Sequence, residues 1–468
     1  MQSRRAVLGG LAGVFAAGAT GTWLTRRWAA GAPPKSTSTR PNIVLILADD
    51  QGYSDVSCTW QPDAAGAFPR IDTPRIDSLA ADGVRFDQFY TAASVCTPSR
   101  AALLTGCYPP RVGFGAKAGG MGVLGPGVEG GLANSELTIA EMLRDAGYAT
   151  GCVGKWHLGG KAPMLPMDQG FEGFYGIPWS NNQQPLPLVH DREVLRLLPD
   201  NPVLTGQFTQ AAISFIEQSR DSPFFLYLAH SAPHWPWNVA PGRRGGHARG
   251  IYGDTIAELD WSVGATLDAL DQFGLRDNTL VIFFSDNGPF IDARTGLGGS
   301  NHPLRGGKSD SWEGGVRTPF LARWPGVIPR GGRTAEMATA MDLMPTLAAI
   351  TGARLPEVTV DGRDIGSLLR HEPGAVSPHE HLAYYARGRL EAVRGRRFKR
   401  VYHNPKRSPV VEEALYDLVA DPGETIDVAA AHSQQVAVLD QAAEAFRADL
   451  GDALHQRRGT GQRGGGWE

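Results

Sequence analysis

The chain has 468 residues, of which 42% are hydrophobic and 20% are charged, so its length and composition are those of a folded globular protein and exclude a fibrous or fully disordered chain. Its 45 basic and 48 acidic residues give a formal net charge of −3, which argues against a surface that binds nucleic acid. Four cysteines in a chain of this length do not form a disulfide scaffold.

Residues 1–32 have the features of an export signal. Arg4 and Arg5 precede an uncharged, mildly apolar stretch, and small residues follow at 29–32. Two arginines before a weakly hydrophobic segment resemble a twin-arginine signal, which implies the twin-arginine export machinery as a partner and a periplasmic or secreted protein after cleavage. An uncleaved membrane anchor is the alternative, because the apolar stretch is just long enough to cross about 30 Å of hydrocarbon.

After a polar linker at 33–40, four short apolar runs predict strands that are buried on both faces. Each run is followed by polar residues whose side chains can bind a metal or take part in catalysis. The predicted strands are 42–48, 148–153, 224–228 and 279–284. Helices are predicted between them, at 73–83, 135–146 and 254–273.

Strands that alternate with helices predict a large, mostly parallel sheet sandwiched by helices, which we assign to a catalytic α/β domain at 41–374. In such folds ligands bind beyond the carboxyl ends of the strands, where the polar residues of this chain are placed.

The pattern changes after residue 374. A smaller α+β domain is predicted at 375–455, with short antiparallel strands at 381–385, 391–394, 398–403 and 414–418 and a helix at 435–450. The Gly/Arg-rich tail at 456–468 is predicted to be disordered.

Cys96 precedes a predicted helix, because Thr97 can act as a cap and Pro98 suits the first helical position. The amino terminus of a helix favours an anion, and Arg100 lies one turn further on. An ordinary buried cysteine is the alternative. We interpret Cys58, Cys107 and Cys152 in that way and leave one disulfide among them open.

The segment Cys96-Thr97-Pro98-Ser99-Arg100, followed by Leu-Leu-Thr-Gly, resembles the signature of the type I sulfatases of the alkaline phosphatase superfamily. Further motifs in the order of that family extend the resemblance over about 41–450. They are Gly154–Gly159, Pro233–Pro236, Leu304–Lys308 and Trp312–Pro319. The resemblance implies an alkaline phosphatase-like fold, hydrolysis of sulfate monoesters, and oxidation of Cys96 to formylglycine by a formylglycine-generating enzyme before export.

Two predicted strands end in oxygen-bearing side chains, which are Asp49, Asp50, Asp286 and Asn287. If the strands are neighbours, these oxygens favour Ca²⁺ or Mg²⁺ over zinc. Asp, Asn and Gly are also common in turns, so either motif alone is ambiguous. Together with Cys96 they resemble the sulfatase metal site, which implies Ca²⁺ as the ion.

The resemblance also implies roles for basic residues. Lys155 and Lys308 hold sulfate oxygens together with Arg100, and His157 acts on the formylglycine hydroxyl. His234, with Lys308, assists the leaving oxygen, and Ser180 matches a weaker position near the sulfate. Each of these residues alone is typical of a solvated or structural side chain. Trp235 and Trp237 are equally consistent with a ring-binding wall and with core packing.

The implied mechanism is attack on sulfur by a hydroxyl of the hydrated formylglycine, followed by release of sulfate when His157 deprotonates the second hydroxyl. The expected substrate is a sulfated small molecule or a sulfated carbohydrate. One alternative is a phosphonate monoester or phosphodiester hydrolase of the same superfamily. The other is a non-catalytic binder of sulfated glycans in which Cys96 stays unmodified.

Overall fold

The computed structural model describes residues 40–62, 66, 68–114, 123–291, 297–403 and 413–464. The predicted export signal, all but the last residue of the linker and the end of the tail lie outside these ranges. Among the described residues, no helix combines the length and the apolar character needed to cross a membrane.

One large sheet of eleven strands forms the centre of the described chain. Its strands are β1 (Asn42–Ala48), β2 (Val84–Tyr90), β3 (Ala149–Lys155), β4 (Gly173–Ile177), β5 (Pro187–His190), β6 (Glu193–Leu197), β7 (Phe224–Ala229), β8 (Thr279–Ser285), β9 (Arg317–Arg323), β10 (Gly332–Thr334) and β11 (Ala338–Thr339). The helices are α1 (Pro74–Ala81), α2 (Cys96–Thr105), α3 (Ile139–Asp145), α4 (Thr205–Ser219), α5 (Gly250–Gln272), α6 (Glu313–Val316), α7 (Leu343–Thr351), α8 (Gly366–Leu369) and α9 (Ser433–Leu450).

The four predicted strands form the centre of this sheet in the order β8-β1-β7-β3, and all four are parallel. Alternate side chains of β1 enter two different cores, with Leu45 on one face and Val44 on the other. A strand of this kind is apolar throughout because helices cover both faces of the sheet. The predicted fold class is confirmed.

The edges of the sheet differ from the prediction. β9 runs antiparallel to both β8 and β2, and β4, β5 and β6 form an antiparallel extension at the other edge. The sheet is therefore mixed. The sequence analysis missed these strands because they are not continuous apolar runs; β6, for example, is mostly exposed.

Two helix starts were also misplaced. α3 begins at Ile139 rather than near 135, because the Thr138 hydroxyl accepts a hydrogen bond from the Glu141 N–H while the Glu141 carboxylate accepts one from the Thr138 N–H. α5 begins at Gly250, four residues before the predicted start. The remaining predicted helices lie where the periodicity places them.

The C-terminal part contains a separate antiparallel sheet of β12 (Leu382–Ala386), β13 (Arg389–Arg394), β14 (Phe398–Val401) and β15 (Ala414–Asp417), in that order. α9 packs on it through Leu439 and Ala443, which share a core with Leu390 and Val393. These elements correspond to the predicted strands and final helix.

A buried group of charges joins this small sheet to the rest of the molecule, and we call it the interface cluster. It consists of Glu313, Arg394, Lys399 and Glu424. Glu313 Oε1 lies 3.2 Å from Lys399 Nζ, and Lys399 Nζ lies 2.9 Å from Glu424 Oε1.

Residues 456–464 contradict the prediction of a disordered tail. Arg463 Nη2 lies 2.7 Å from Glu136 Oε2, and the carbonyl of Gly461 accepts a hydrogen bond from Arg111 Nη1 at 3.0 Å. These two partners lie more than three hundred residues earlier in the chain, so the local composition of the tail could not indicate them. All four cysteines are free, and no disulfide forms.

Candidate active site

The carboxyl ends of the four central strands meet at one edge of the sheet. β1 and β8 end level with each other, since Ala48 is the register partner of Ser285, and β3 and β7 are matched in the same way. The predicted site residues on these strand ends and on the loops that follow them are all buried. They are Asp49, Asp50, Lys155, His157, His234, Asp286 and Asn287.

Asp49 and Asp50 are each paired with a lysine. Lys155 Nζ donates to Asp49 Oδ2 at 2.6 Å, and Lys308 Nζ donates to Asp50 Oδ2 at 2.6 Å. Burial alone would raise the pKa of Asp49, but the surrounding cations, chiefly Lys155, outweigh it and hold the pKa well below its usual range. Burial alone would lower the pKa of Lys308, and the attraction of Asp50 raises it above its usual range instead.

The backbone at two of these positions is strained. Asp50 has a φ of 64° and His157 a φ of 63°, which is the left-handed region that residues with a side chain rarely adopt. Such a conformation costs on the order of 1–3 kcal/mol and is retained where the surrounding structure imposes it. At both positions it turns the chain away from a strand end and into the site.

Two buried oxygens of this group accept no hydrogen bond from a described residue. They are Asp49 Oδ1, which has Arg100 Nη2 3.5 Å away, and Asn287 Oδ1. The Asn287 amide donates to Asp50 Oδ1 at 2.8 Å, and Asp286 Oδ1 accepts from the Asp50 N–H at 3.1 Å, so three of the five predicted ligands are in direct contact. Buried acceptors are seldom left unpaired, and an all-oxygen donor set fits a hard dication such as Ca²⁺ or Mg²⁺.

Geometry alone selects a slightly different group. One ligand atom from each of Asp49, Asp50, Cys96 and His234 lies within 4.8 Å of the others. His234 was not predicted as a ligand. Asp286 is not in this group, and its carboxylate is paired with Arg100.

Arg100 lies beneath the site rather than in its opening. It is completely buried, and its Nε donates to Asp286 Oδ2 at 2.9 Å while its Nη1 donates to the Lys155 carbonyl at 2.7 Å. Arg100 Nη2 lies 2.8 Å from Asp286 Oδ2 and 3.5 Å from Asp49 Oδ1, so the guanidinium is directed at the carboxylates. The prediction that Arg100 helps to hold sulfate oxygens does not fit this geometry, because the side chain is completely buried and does not line the cleft. Arg100 is a positioning residue that links the ends of β8 and β3.

Cys96 is the first residue of α2 and is completely buried. Its Sγ lies 3.8 Å from Asp50 Oδ1. Burial raises the pKa of the thiol to about 12, because desolvation outweighs the attraction of Lys155 and Lys308. An unmodified thiol in this place is therefore protonated at neutral pH and is a poor nucleophile.

The start of α2 differs by two residues from the prediction. Val95 occupies the cap position, and Cys96 lies inside the helix rather than just outside it. Thr97 does not cap the helix, because its hydroxyl donates to the His157 carbonyl at 3.1 Å and accepts from the Leu124 N–H at 3.1 Å. Thr97 thus connects α2 to the loop that carries His157.

The hydrogen bonds of His157 determine its tautomer. Nε2 lies 2.8 Å from the carbonyl oxygen of Leu124, which only accepts, so Nε2 carries the proton. Nδ1 is buried and has no hydrogen-bond partner among the described residues. Burial, reinforced by Lys155 and Arg100, lowers the pKa of His157 well below its usual value, so Nδ1 presents a free lone pair at neutral pH.

His234 is also neutral at physiological pH. Burial, together with the charge of Lys308, lowers its pKa to about 4. Its Nδ1 donates to the carbonyl of Trp235 at 2.5 Å, and Nε2 lies 3.5 Å from Asp50 Oδ2.

A cleft of about 340 Å³ opens onto Cys96, and Ser180, His234 and Lys308 line it as predicted. An adjoining depression shares His234 and Lys308 and is lined by two partly exposed aromatic side chains, Trp235 and Phe290.

Trp237 differs from Trp235. Its ring packs edge-on against Tyr252 with centroids 5.4 Å apart, and its Nε1 donates to the Pro233 carbonyl. The sequence left the roles of the two tryptophans open. In the structure, Trp235 lines the depression and Trp237 packs against Tyr252.

The sequence analysis missed several residues that line the cleft. Asn182 and Gln183 lie in a loop between β4 and β5, and Gln183 Oε1 accepts from the Ser180 N–H at 3.0 Å. Tyr385, Arg387 and Arg389 come from the hairpin of β12 and β13. No local motif marks these positions, because only the docking of the small sheet brings the hairpin to Cys96.

Comparison with known proteins agrees with this geometry. The family described as Sulfatase matches residues 41–353, and the C-terminal family of N-sulphoglucosamine sulphohydrolase matches residues 308–448. Human arylsulfatase A is 39% identical over 438 residues, covering 83% of this chain and 83% of that protein. Mouse N-acetylgalactosamine-6-sulfatase is 38% identical over 358 residues, covering 72% of this chain and 66% of that protein.

A solved structure with the same fold is that of Ps i-CgsB in complex with k-i-k-neocarrahexaose. It superposes with a TM-score of 0.72 at 30% identity and covers 87% of this chain and 92% of the other. With a family match over most of the chain and with the strand-end site in place, the chain belongs to the sulfatase family of sulfuric ester hydrolases, within the alkaline phosphatase-like superfamily.

Proposed function

We propose that this protein hydrolyses sulfate monoesters to an alcohol and sulfate, using a formylglycine formed from Cys96 and a bound Ca²⁺. One observation carries the proposal: Cys96 lies fully buried among the strand-end carboxylates and lysines, where its thiol is a poor nucleophile, yet the cleft opens onto it. Conversion of the thiol to an aldehyde replaces the sulfur and two hydrogens with one oxygen. The hydrated aldehyde then carries the hydroxyl that acts as the nucleophile.

The residues present fit both groups. Asp49, Asp50, Asp286 and Asn287 would hold the cation, and Mg²⁺ is the alternative ion. When bound, these groups supply a hydroxyl nucleophile that can be regenerated and a positive charge that polarises a sulfate oxygen.

Lys155 and Lys308 bind the sulfate in this proposal. Both reach the centre of the site, since each contacts a carboxylate at 2.6 Å. A lysine ammonium acts as a point charge, which suits the charge that spreads over the sulfuryl oxygens during the reaction. Ser180 lines the cleft beside them.

His157 is the general base. Its Nδ1 is the unpartnered acceptor, and the Leu124 carbonyl keeps the ring in the tautomer that leaves Nδ1 free. It accepts the proton of the hydroxyl whose deprotonation releases sulfate. The low pKa of His157 keeps it ready for this role across neutral pH.

The proton for the leaving oxygen comes from Lys308. Of the two candidates at the cleft, Lys308 is protonated because Asp50 raises its pKa, whereas the pKa of His234 is lowered to about 4 and leaves it neutral. His234 Nε2 carries no proton while Nδ1 donates to the Trp235 carbonyl, so Nε2 can accept a hydrogen bond from the hydroxyl of the alcohol that is released.

We propose a sulfated carbohydrate as the physiological substrate. Trp235 and Phe290 offer exposed aromatic surface beside the cleft, on which a sugar ring can pack. Similar proteins include an N-acetylgalactosamine-6-sulfatase and a protein solved in complex with a neocarrahexaose. Maturation by a formylglycine-generating enzyme and twin-arginine export to the periplasm or beyond belong to the same proposal.

Kinetic comparison of three chromogenic esters tests the reaction. We expect kcat/KM for 4-nitrophenyl sulfate to exceed the values for bis(4-nitrophenyl) phosphate and 4-nitrophenyl phenylphosphonate. If the phosphorus esters react faster by orders of magnitude, the protein is a phosphodiester or phosphonate monoester hydrolase. Binding of sulfated sugars without any turnover, with a thiol at Cys96, would identify a glycan-binding protein.

A further inference from the structure

The C-terminal sheet contributes the tip of one hairpin to the cleft. β12 ends at Ala386, β13 begins at Arg389, and Tyr385–Arg389 all line the cleft. Among the described lining residues the formal charges are those of Lys308, Arg387 and Arg389, and no carboxylate is present. In a chain with a formal net charge of −3, this is a locally positive surface.

The hairpin is firmly held beside the loop that carries Lys308. The Gly388 carbonyl accepts from the Ala453 N–H at 2.7 Å, which ties the tip to the segment after α9. Glu391 accepts from the Ser311 hydroxyl at 2.6 Å and from Arg389 Nη2 at 3.1 Å. The hairpin and the Lys308 loop are therefore parts of one fixed framework.

Arg387 is an unusual residue for its position. It has a φ of 51° and the following Gly388 a φ of 75°, as in the two-residue hairpin turns that favour Asn, Asp or Gly at the first of these positions. An arginine there loses backbone stability relative to asparagine. Its side chain forms no hydrogen bond or ion pair with any residue that the structure describes, and it is exposed in the cleft.

Only part of the Arg389 guanidinium is paired within the protein. One of its nitrogens, Nη2, is paired with Glu391, but its Nε is buried and has no hydrogen-bond partner among the described residues. The Arg387 guanidinium is thus free in the cleft, and Arg389, which also lines the cleft, keeps one buried donor without a partner among the described residues. A guanidinium binds a carboxylate or a sulfate through paired hydrogen bonds.

We infer that Arg387 and Arg389 form a second anion subsite, which binds a sulfate or carboxylate group on the alcohol part of the substrate. The inference rests on the proposed function, because it places the ester that is hydrolysed at Cys96, among Lys155 and Lys308. The hairpin then selects substrates that carry a second negative charge.

Two matched esters test the subsite: 2-naphthyl sulfate, and 6-sulfooxy-2-naphthoate, which adds one carboxylate. Arg387→Asn is the variant of choice, because asparagine suits the turn and keeps the hairpin folded. We expect the ratio of kcat/KM for the naphthoate to that for 2-naphthyl sulfate to fall about ten-fold, chiefly through KM. Arg354→Asn removes an equally exposed arginine outside the cleft and is expected to leave both values unchanged.

A binding measurement separates this inference from the proposed function. In a Cys96→Ala background, isothermal titration of the naphthoate should give a Kd that Arg387→Asn weakens about ten-fold, with a much smaller change for 2-naphthyl sulfate. Equal changes in Kd for both esters, or an unaltered kcat/KM ratio, would overturn the second subsite while leaving sulfate hydrolysis intact. If neither ester is hydrolysed, the proposed function fails, and the Kd comparison still decides whether the subsite exists.

Discussion

Two groups of buried charges in this molecule have similar burial and similar pKa shifts, but they differ in their access to the cleft. The interface cluster and the strand-end site both contain carboxylates that desolvation disfavours and nearby cations stabilise. In the interface cluster, burial alone would raise the pKa of Glu313, yet Lys399 and Arg394 lower it to about 2. Asp49 in the site is depressed in the same sense by Lys155.

The difference lies in access to the cleft. In the interface cluster, both oxygens of Glu313 accept hydrogen bonds, from Tyr90 and Lys399, while Glu424 Oε1 has no hydrogen-bond partner among the described residues and lies 2.9 Å from Lys399 Nζ. No residue of the cluster lines the cleft. In the strand-end site, Asp49 Oδ1 and Asn287 Oδ1 also have no donor, but Cys96, His234 and Lys308 line the cleft. Buried charge, a shifted pKa and an unpaired oxygen therefore do not identify an active site; a cleft that reaches the charged group does.

The largest expected effect concerns Cys96. Cys96→Ala should lower sulfatase turnover by roughly 10³-fold or more, since loss of a nucleophile leaves only residual catalysis. The circular dichroism spectrum and Tm should stay close to those of the parent protein. Cys58→Ala, which alters a free cysteine away from the cleft, is the matched control and should retain turnover. Sulfatase activity in Cys96→Ala would refute the assignment of the nucleophile.

Removal of the cation should have the next largest effect on turnover. Chelation by EGTA or EDTA is expected to lower kcat by roughly 10²-fold or more, because a bound dication contributes several kcal/mol to stabilisation of the charge that develops. Added Ca²⁺ should restore turnover and raise Tm in the parent protein, and Asp49→Asn should weaken both responses. Full activity after exhaustive chelation would contradict the metal assignment.

A pair of lysine substitutions tests directly whether one group of charges serves stability and the other serves turnover. Lys399→Ala leaves the buried carboxylate of Glu424 without its cation, removes one of the cations of Glu313, and should cost about 3–5 kcal/mol in the free energy of unfolding. Turnover per folded molecule should change little. Lys308→Ala should do the reverse, with a large loss of kcat and a small loss of stability.

Chemical denaturation and steady-state kinetics on both lysine variants check this contrast. If Lys399→Ala also abolished turnover in folded protein, the interface cluster would have to be counted as part of the active site. If folded Lys308→Ala kept the turnover of the parent protein, the catalytic role of Lys308 would be disproved.

The smallest expected effect concerns His230, which is buried just after β7 but contacts Ser262 rather than the site. Burial lowers its pKa to about 3, below the value of about 6.5 in an unfolded chain. Between these pH values the unfolded chain binds a proton that the folded protein does not, so stability is lost as the pH falls below about 6.5. The loss from this one residue approaches about 1.4 kcal/mol per pH unit.

Denaturant titrations at pH 7 and pH 5 measure this loss. His230→Gln should show a shallower fall in the free energy of unfolding than the parent protein, with turnover preserved. An equal fall in both proteins would mean that His230 is not held neutral in the folded state.

The sequence indicated most of the site that lies on apolar strands. β1 and β8 are recognisable because they are buried on both faces, but that they are neighbours, which brings Asp49 and Asp286 together, is known only from the structure. The motif around Cys96 likewise located the start of α2 to within two residues.

What the sequence could not supply depends on contacts between distant segments. Arg100 was expected to hold sulfate, but it is completely buried away from the cleft and contacts Asp286 and the Lys155 carbonyl, which only the packed structure reveals. Arg387 reaches the cleft because the small sheet docks beside Cys96, and no motif in the hairpin indicates this. The order of residues 456–464 depends on partners at Arg111 and Glu136 in the same way.

Mass spectrometry of the peptide 86–100 tests the central claim most directly. The active fraction of exported protein, prepared with its maturation system, should contain this peptide with an aldehyde at position 96, lighter by the exchange of sulfur and two hydrogens for one oxygen. Specific sulfatase activity should rise in proportion to the converted fraction. A fully active preparation in which Cys96 is entirely an unmodified thiol would contradict the account.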